Sequence, residues 1–360
     1  MRAAIVGILG GLAAAILAAG VRPATAQTAP PAPPPCADGV RLKVICGLKG
    51  PEDLVQVPGA DWIIASGLGE GANPASGNDT GGGLGLIDPA AHTARRLAFA
   101  GAGPKAPYLG CSGPPDPAHF QAHGLNIQGV GAGRARLFVV GHGGREAIEV
   151  FDVATGKHAP PALTWIGCIA APEGAYHNSV AALKDGRVVV TDFLHKPSTF
   201  RDLLSGKTTG AVYIWAPGGT LTKLPGTDLG APNGIEVTPD GRYVFVAVSG
   251  TSRILRWELA ATDKPPTTID PGQRADNLRW GPGGKLLAAG PDTRGCPPTD
   301  NRCAVLSVVA LDPNTLTPTT LLHTKPEAGF NALSSALIVG GTLWLGSPTG
   351  DRVAYTTPDK

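Results

Sequence analysis

Apolar and polar positions alternate in short runs along this chain, and the clearest case is GAPNGIEVTPDGRYVFVAVSG, residues 230–250. Ile235 and Val237 alternate with Glu236 and Thr238, and PDG then reverses the chain into YVFVAV from Tyr243. Proline presets the turn backbone and glycine relieves it, so the stretch predicts a β-hairpin. Comparable strong runs begin at Trp62 (WIIAS), Leu137 (LFVVG), Val188 (VVVTD), Leu286 (LLAAG) and Leu343 (LWLGS). Helical periodicity is weak throughout. Six strong runs at a spacing of about fifty residues, each leaving room for several short strands, predict an all-β, six-bladed β-propeller rather than a sandwich. The first interval is the longest, and two Gly/Pro-rich insertions near 67–83 and 101–118 fill it; they are expected as loops over one face. One domain over 39–360 is large, but each propeller blade packs on its neighbours and so escapes the usual size limit.

Each strong run is preceded by a short apolar strand with a polar residue at its head. Glu52, Asn178 and Asn233 stand ten residues before their strong strands, Asn277 stands nine before, and His123 holds the equivalent place ahead of a longer hairpin. The first strand of every blade lines the central channel, so residues at these heads converge although they are far apart in sequence. Glu52, Asn178, Asn233, Asp276 and Asn277 would then offer two carboxylates and three amide oxygens to one centre. These are hard oxygen donors of the kind calcium accepts in flexible geometry, whereas zinc would call for His or Cys. A single Asn before a strand is ordinarily an Asx-type turn. Recurrence across four blades with Glu, Asp and Asn mixed favours the metal.

Composition narrows the setting. MRAAIVGILGGLAAAILAAGVRPATAQ opens with one Arg ahead of a long apolar stretch, and Ala24-Thr25-Ala26 fits a small-x-small cleavage site. Residues 1–26 therefore read as a signal peptide of an exported, periplasmic or secreted protein, the alternative being an uncleaved membrane anchor. Residues 27–38 form a Pro-rich leader. Without Arg2 and Arg22, 28 of the 30 basic residues remain against 28 acidic ones, which leaves no basic face for nucleic acid or anionic lipid. Six cysteines in an exported chain predict disulfides; Cys36–Cys46, Cys296–Cys303 and Cys111–Cys168 is the simplest of fifteen connectivities.

The pieces PEDLVQVPGADWIIASG, HGLNI, RLFVVGHGG, HNSVAAL, PNGIEVTPDGRYVFVAV and ADNLRWGPGGKLLAAG resemble the calcium-dependent paraoxonase/arylesterase family, six-bladed propellers related to the gluconolactonase and regucalcin group. The likeness runs from about residue 40 to residue 357. It implies that Glu52, Asn178, Asn233, Asp276 and Asn277 hold a catalytic calcium ion. It implies a general base at His123 in HGLNI and a second dyad histidine at His142 in VVGHGG. A second, structural ion would fall on Asp53, the carbonyl of Leu125 and Ser179, but the last position is an aspartate in the family, which weakens that site. The family disulfide joining the two ends of the propeller lacks its partner, since no Cys follows Cys303. Cys46 must then pair elsewhere, or the ring closes by strand pairing alone.

This chemistry is coherent. Calcium at a channel mouth polarises a lactone or ester carbonyl, and a neutral imidazole with an ordinary pKa of about 6.5 takes a proton from water. Asp276 competes with His123 for the role of base. His177, Asp192 and Phe193, together with His195, are expected near the substrate pocket, whereas His92, His119, His158 and His323 fall in loops. No GxSxG elbow supports a serine hydrolase. The expected activity is hydrolysis of lactones or aryl esters. Its alternatives are a gluconolactonase-type sugar-lactone hydrolase and a noncatalytic ligand- or protein-binding propeller.

Overall fold

Every strong run becomes the second strand of an antiparallel sheet, and among the described residues six such sheets are arranged as a β-propeller. The computed structural model describes residues 35–69, 81–203, 205–297 and 303–359. The signal peptide, most of the Pro-rich leader and the central part of the first insertion lie outside them. The innermost strands of blades 1 to 6 are Leu54–Gln56, Gln121–Gly131, His177–Ala182, Pro232–Val237, Leu278–Trp280 and Ser335–Val339. Their partners are Ile63–Gly67, Arg134–His142, Val188–Asp192, Tyr243–Val248, Leu286–Asp292 and Thr342–Gly346.

The period-two pattern is consumed on both faces of each blade. In blade 4, Val244 and Val246 pack with Val189 and Val212 of blade 3, while Phe245 and Ala247 pack with Leu278, Leu286 and Ala288 of blade 5. Successive side chains of a strand point to opposite faces, so the run YVFVAV can fill two interblade cores at once. The same division recurs around the ring. Phe151 and Trp165 lie between blades 1 and 2, Trp215 between 2 and 3, and Trp344 between 6 and 1. Burial of each such side chain contributes about 1.5–3 kcal/mol. The hairpin at Pro239-Asp240-Gly241 forms as its chemistry requires: Gly241 has φ +72°, Asp240 Oδ1 accepts from Arg242 N at 3.0 Å, and Thr238 Oγ1 accepts from Tyr243 N at 2.9 Å.

The ring closes through its N-terminal end. Lys43–Cys46 is the outermost strand of blade 6, pairing antiparallel with Arg352–Thr356 in the register Lys43↔Tyr355 and Cys46↔Arg352. Cys46 is bonded to Cys36, ten residues away, so strand pairing closes the propeller and the cystine locks the closing strand's own entry. Cys111–Cys168 and Cys296–Cys303 complete the simplest connectivity. Three disulfides suit an oxidising, exported compartment, and among the described residues no helix is long and apolar enough to cross a membrane.

Two expectations change. The insertion at 101–118 does not simply lie over one face. Phe99–Gly101 adds a parallel strand to the outer edge of blade 2, Cys111 is tied to Cys168 there, and Tyr108 is buried with its ring stacked on Trp215 at 5.5 Å. Aromatic burial against two blades outweighs exposure of a Gly/Pro-rich loop. His323 sits in the strand Pro318–Thr324 rather than a loop, with Nε2 3.2 Å from Asp292 Oδ2.

Candidate functional site

The heads of the inner strands meet because glycines let neighbouring blades approach. A Cβ on Gly124 would lie 2.4 Å from the Asn178 carbonyl oxygen, and one on Gly234 would lie 2.4 Å from the Asp276 carbonyl oxygen. Gly234 N donates to that Asp276 oxygen at 3.0 Å. The HG and NG dipeptides thus place His123 beside Asn178 and Asn233 beside Asp276. Further hydrogen bonds fix the backbone of the ring: Thr191 Oγ1 donates to Asn233 O at 2.6 Å, and Asn277 N donates to Ser334 O at 2.9 Å. Blade 6, which supplied no candidate ligand from sequence, holds Glu52 in place. Ser334 Oγ and Ser335 Oγ donate to the Glu52 carbonyl at 2.6 and 2.7 Å.

Side chains converge accordingly. Asn277 Nδ2 donates to Glu52 Oε1, and Glu52 Oε2 stands 3.9 Å from His123 Nε2. Asn178 Nδ2 lies 3.3 Å from the same His123 nitrogen. Asn233 Nδ2 donates to Ser249 Oγ at 3.2 Å. At the ring, four buried oxygens have no hydrogen-bond partner: Glu52 Oε2, Asn178 Oδ1, Asn233 Oδ1 and Asn277 Oδ1. A buried acceptor without a partner costs about 1–3 kcal/mol, and four from four blades are a concentration that turn chemistry does not explain. Burial raises the Glu52 carboxyl well above its ordinary value, with Asp53 and Asp276 adding repulsion. It pushes Asp276 up to about 7. Crowded acceptors beside two destabilised carboxylates fit a hard, multivalent cation such as calcium. Among the described residues no group of three or more His, Cys, Asp and Glu side chains is arranged to hold an ion, so the donor set depends on its asparagines.

The histidines form a directional chain that sequence reading reached only in part. His123 Nδ1 is 2.9 Å from His142 Nε2, and His142 Nδ1 is 2.7 Å from Glu146 Oε1. The consistent assignment has Asn178 Nδ2–H donating to His123 Nε2, His123 Nδ1–H to His142 Nε2, and His142 Nδ1–H to Glu146. It leaves the basic nitrogen of His123 facing the oxygen ring. Desolvation first, and then the nearby His142, hold the His123 pKa well below 6.5. Tyr176 stacks on His142 with ring centroids 4.2 Å apart. Glu146 lies four residues past His142, beyond a turn, where nothing in the local pattern marks it.

Other expected site residues fall elsewhere. His177 is fully buried, with both ring nitrogens unpartnered, and burial pushes its pKa down to about 3. Asp192 is also fully buried and accepts from Tyr176 N at 3.0 Å and from His195 Nδ1. His177 and Asp192 pair across their two strands beside Tyr176, and Phe193 and His195 are partly exposed. Asp53 points below the ring. Its Oδ2 accepts from Leu125 N at 2.8 Å and from Arg279 Nη2 at 2.6 Å, and its Oδ1 accepts from Leu54 N at 2.8 Å. Leu125 thus presents its amide to Asp53, and Ser179 Oγ accepts from Ile235 N at 3.3 Å. With the Arg279 guanidinium on Asp53 and no carboxylate at Ser179, these residues do not fit a second ion.

No protein-family model and no curated protein matches the sequence. Among solved structures, the chain is similar to a luciferin-regenerating enzyme, with a TM-score of 0.53 and 11% identity over 88% of this chain and 95% of that one. It also overlaps a streptogramin B lyase (TM-score 0.48, 11% identity, 88% and 97% covered). A third overlap is with regucalcin, a calcium-binding protein from Agrobacterium tumefaciens (TM-score 0.47, 13% identity, 86% and 90% covered). At these identities the likeness to the first bears on the fold alone.

Proposed function

We propose that this chain is an exported, periplasmic or secreted, calcium-dependent hydrolase of lactones or aryl esters. The observation that carries the reading is the convergence of four partnerless buried oxygens, from Glu52, Asn178, Asn233 and Asn277, beside the lone pair of His123 Nε2. These residues with Asp276 would hold the ion. A bound calcium ion supplies Lewis acidity toward the substrate carbonyl. Once the Asn178 Nδ2–H bond to it is released, His123 Nε2 takes a proton from the attacking water as the new C–O bond forms, and the same proton returns to the departing alkoxide when the acyl C–O bond breaks. His142 receives the His123 Nδ1–H, and Glu146 orients His142 and stabilises positive charge spreading along the pair. His123 is preferred to Asp276 as base because its Nδ1–H leads through His142 to Glu146, whereas Asp276 has no such continuation.

The test is hydrolysis of an aliphatic lactone and of phenyl acetate by the mature protein, before and after calcium removal with a chelator. Turnover lost with the ion and regained on its return is expected. No turnover on either substrate, with calcium bound and raising the melting temperature, would favour a binding scaffold instead.

A further inference from the structure

Below the oxygen ring the channel contains a second buried charge cluster. Arg279, on the inner strand of blade 5, reaches Asp53 of blade 1 through Nη2 at 2.6 Å and Glu236 of blade 4 through Nη1 at 3.0 Å. All three side chains are buried: 8% exposed for Arg279, none for Asp53 and 3% for Glu236. The amide of Leu125 adds blade 2 to the cluster through the same Asp53 oxygen. Four blades are therefore joined around one guanidinium, which separates the ring above from a cavity of about 470 Å³ at the opposite end of the channel. A guanidinium suits this place because it is permanently charged, planar and able to address two carboxyls in different directions.

We propose that the Arg279 guanidinium is the resident cation of the channel floor, in place of a second metal ion, so that the protein takes up no divalent ion at Asp53. Geometry supports this from both sides. The Asp53 oxygens already accept three N–H bonds, and a divalent ion close enough to bind them would stand beside the guanidinium charge. On the other side, Asp53 and Glu236 already share the one guanidinium, so a divalent ion could engage both carboxyls only by displacing it. A covalently supplied cation is present whatever the calcium concentration, so Asp53, Glu236 and the four blades stay joined when the upper ring is empty.

The prediction is read by counting calcium bound to the full mature chain, using equilibrium dialysis and atomic emission, and by thermal unfolding with calcium or with chelator. Wild-type protein is expected to bind at most one ion, and the double variant Glu52→Gln, Asn277→Ala none. Arg279→Met exposes Asp53 and Glu236 to each other and is expected to bind one ion more than wild type, with a melting temperature that calcium raises by a larger step. Two ions on wild type, or an ion retained by the double variant, would overturn the proposal; so would a folded Arg279→Met that gains none. Should Arg279→Met fail to fold even in calcium, the counts on wild type and the double variant still decide. Wild type binding no ion while Arg279→Met binds one would sink the calcium reading of the upper ring and leave this one standing.

Discussion

His142 stands between two partners, and the one that sequence did not reveal is Glu146, whose Oε1 lies 2.7 Å from His142 Nδ1. The carboxylate fixes the tautomer in which His142 Nε2 accepts from His123, and it favours imidazolium as charge moves outward. Glu146→Gln keeps the size of the group and removes its charge. Its kcat on a lactone should fall about ten- to a hundredfold with KM little changed. His142→Gln should cost a similar factor, and the double variant should fall well short of the product of the two, because both act through His123. Multiplying effects would show that Glu146 does not work through His142.

A ligand role for Asn233 predicts a change of sign rather than a simple loss. Its Oδ1 is a buried acceptor without a protein partner, and its amide nitrogen donates to Ser249 Oγ. Asn233→Ala should therefore change stability little in chelator, by less than about 1 kcal/mol, since the lost hydrogen bond is offset by removal of a desolvated oxygen. In saturating calcium the same substitution should destabilise relative to wild type and weaken calcium affinity at least about tenfold. Equal destabilisation in both conditions would return Asn233 to the role of a turn residue.

The contrast between Asn233 and Arg279 shows what the sequence could disclose. The strands were legible because both faces of a blade are buried, which writes strong β-branched and aromatic runs at a regular spacing. The ring was legible because one structural position repeats in each blade and a polar residue recurs at it. Arg279 occupies no repeated position; it is one polar residue in ADNLRW, and its meaning depends on Asp53 and Glu236, 226 and 43 residues away. Ser334 and Ser335 act on a backbone carbonyl, which leaves no trace in the side-chain pattern. Asp53 looked like a ligand because a carboxylate that will accept from arginine and one that will bind metal are the same letter.

Closure of the propeller rests on one carboxylate as well as on strand pairing. Glu327 Oε2 accepts from Val40 N at 3.1 Å, and Oε1 accepts from Arg41 N at 2.6 Å and from Leu42 N. These bonds orient the chain as it enters the outer strand of blade 6. Glu327→Ala should lower unfolding free energy by about 1–2 kcal/mol, allowing for its exposed setting. Hydrogen exchange should quicken at the amides of 40–46 with little change in blade 3. Unchanged exchange there would place the closing energy in the strand ladder and the Cys36–Cys46 bond alone.

Glu236 makes the channel floor sensitive to pH in a direction that can be worked out in advance. Burial raises its carboxyl from 4.5 to about 7, against the lowering effect of Arg279. The native state therefore holds this proton more tightly than the unfolded chain does. The stabilisation it gives is fully present below pH 4.5, is lost as pH rises from 4.5 to 7, and is absent above that window. A shift of this size corresponds to about 3 kcal/mol at most. Glu236→Gln cannot titrate, so the difference in unfolding free energy between wild type and variant should move against wild type as pH rises from 5 to 8. Urea unfolding at fixed calcium measures it, and because Glu52, Asp276 and the histidines are common to both proteins, their contributions cancel in the difference. A difference that stays flat across this range would mean that Arg279 holds Glu236 ionised throughout, and the floor would then be a full ion-pair triad at every pH at which the protein folds.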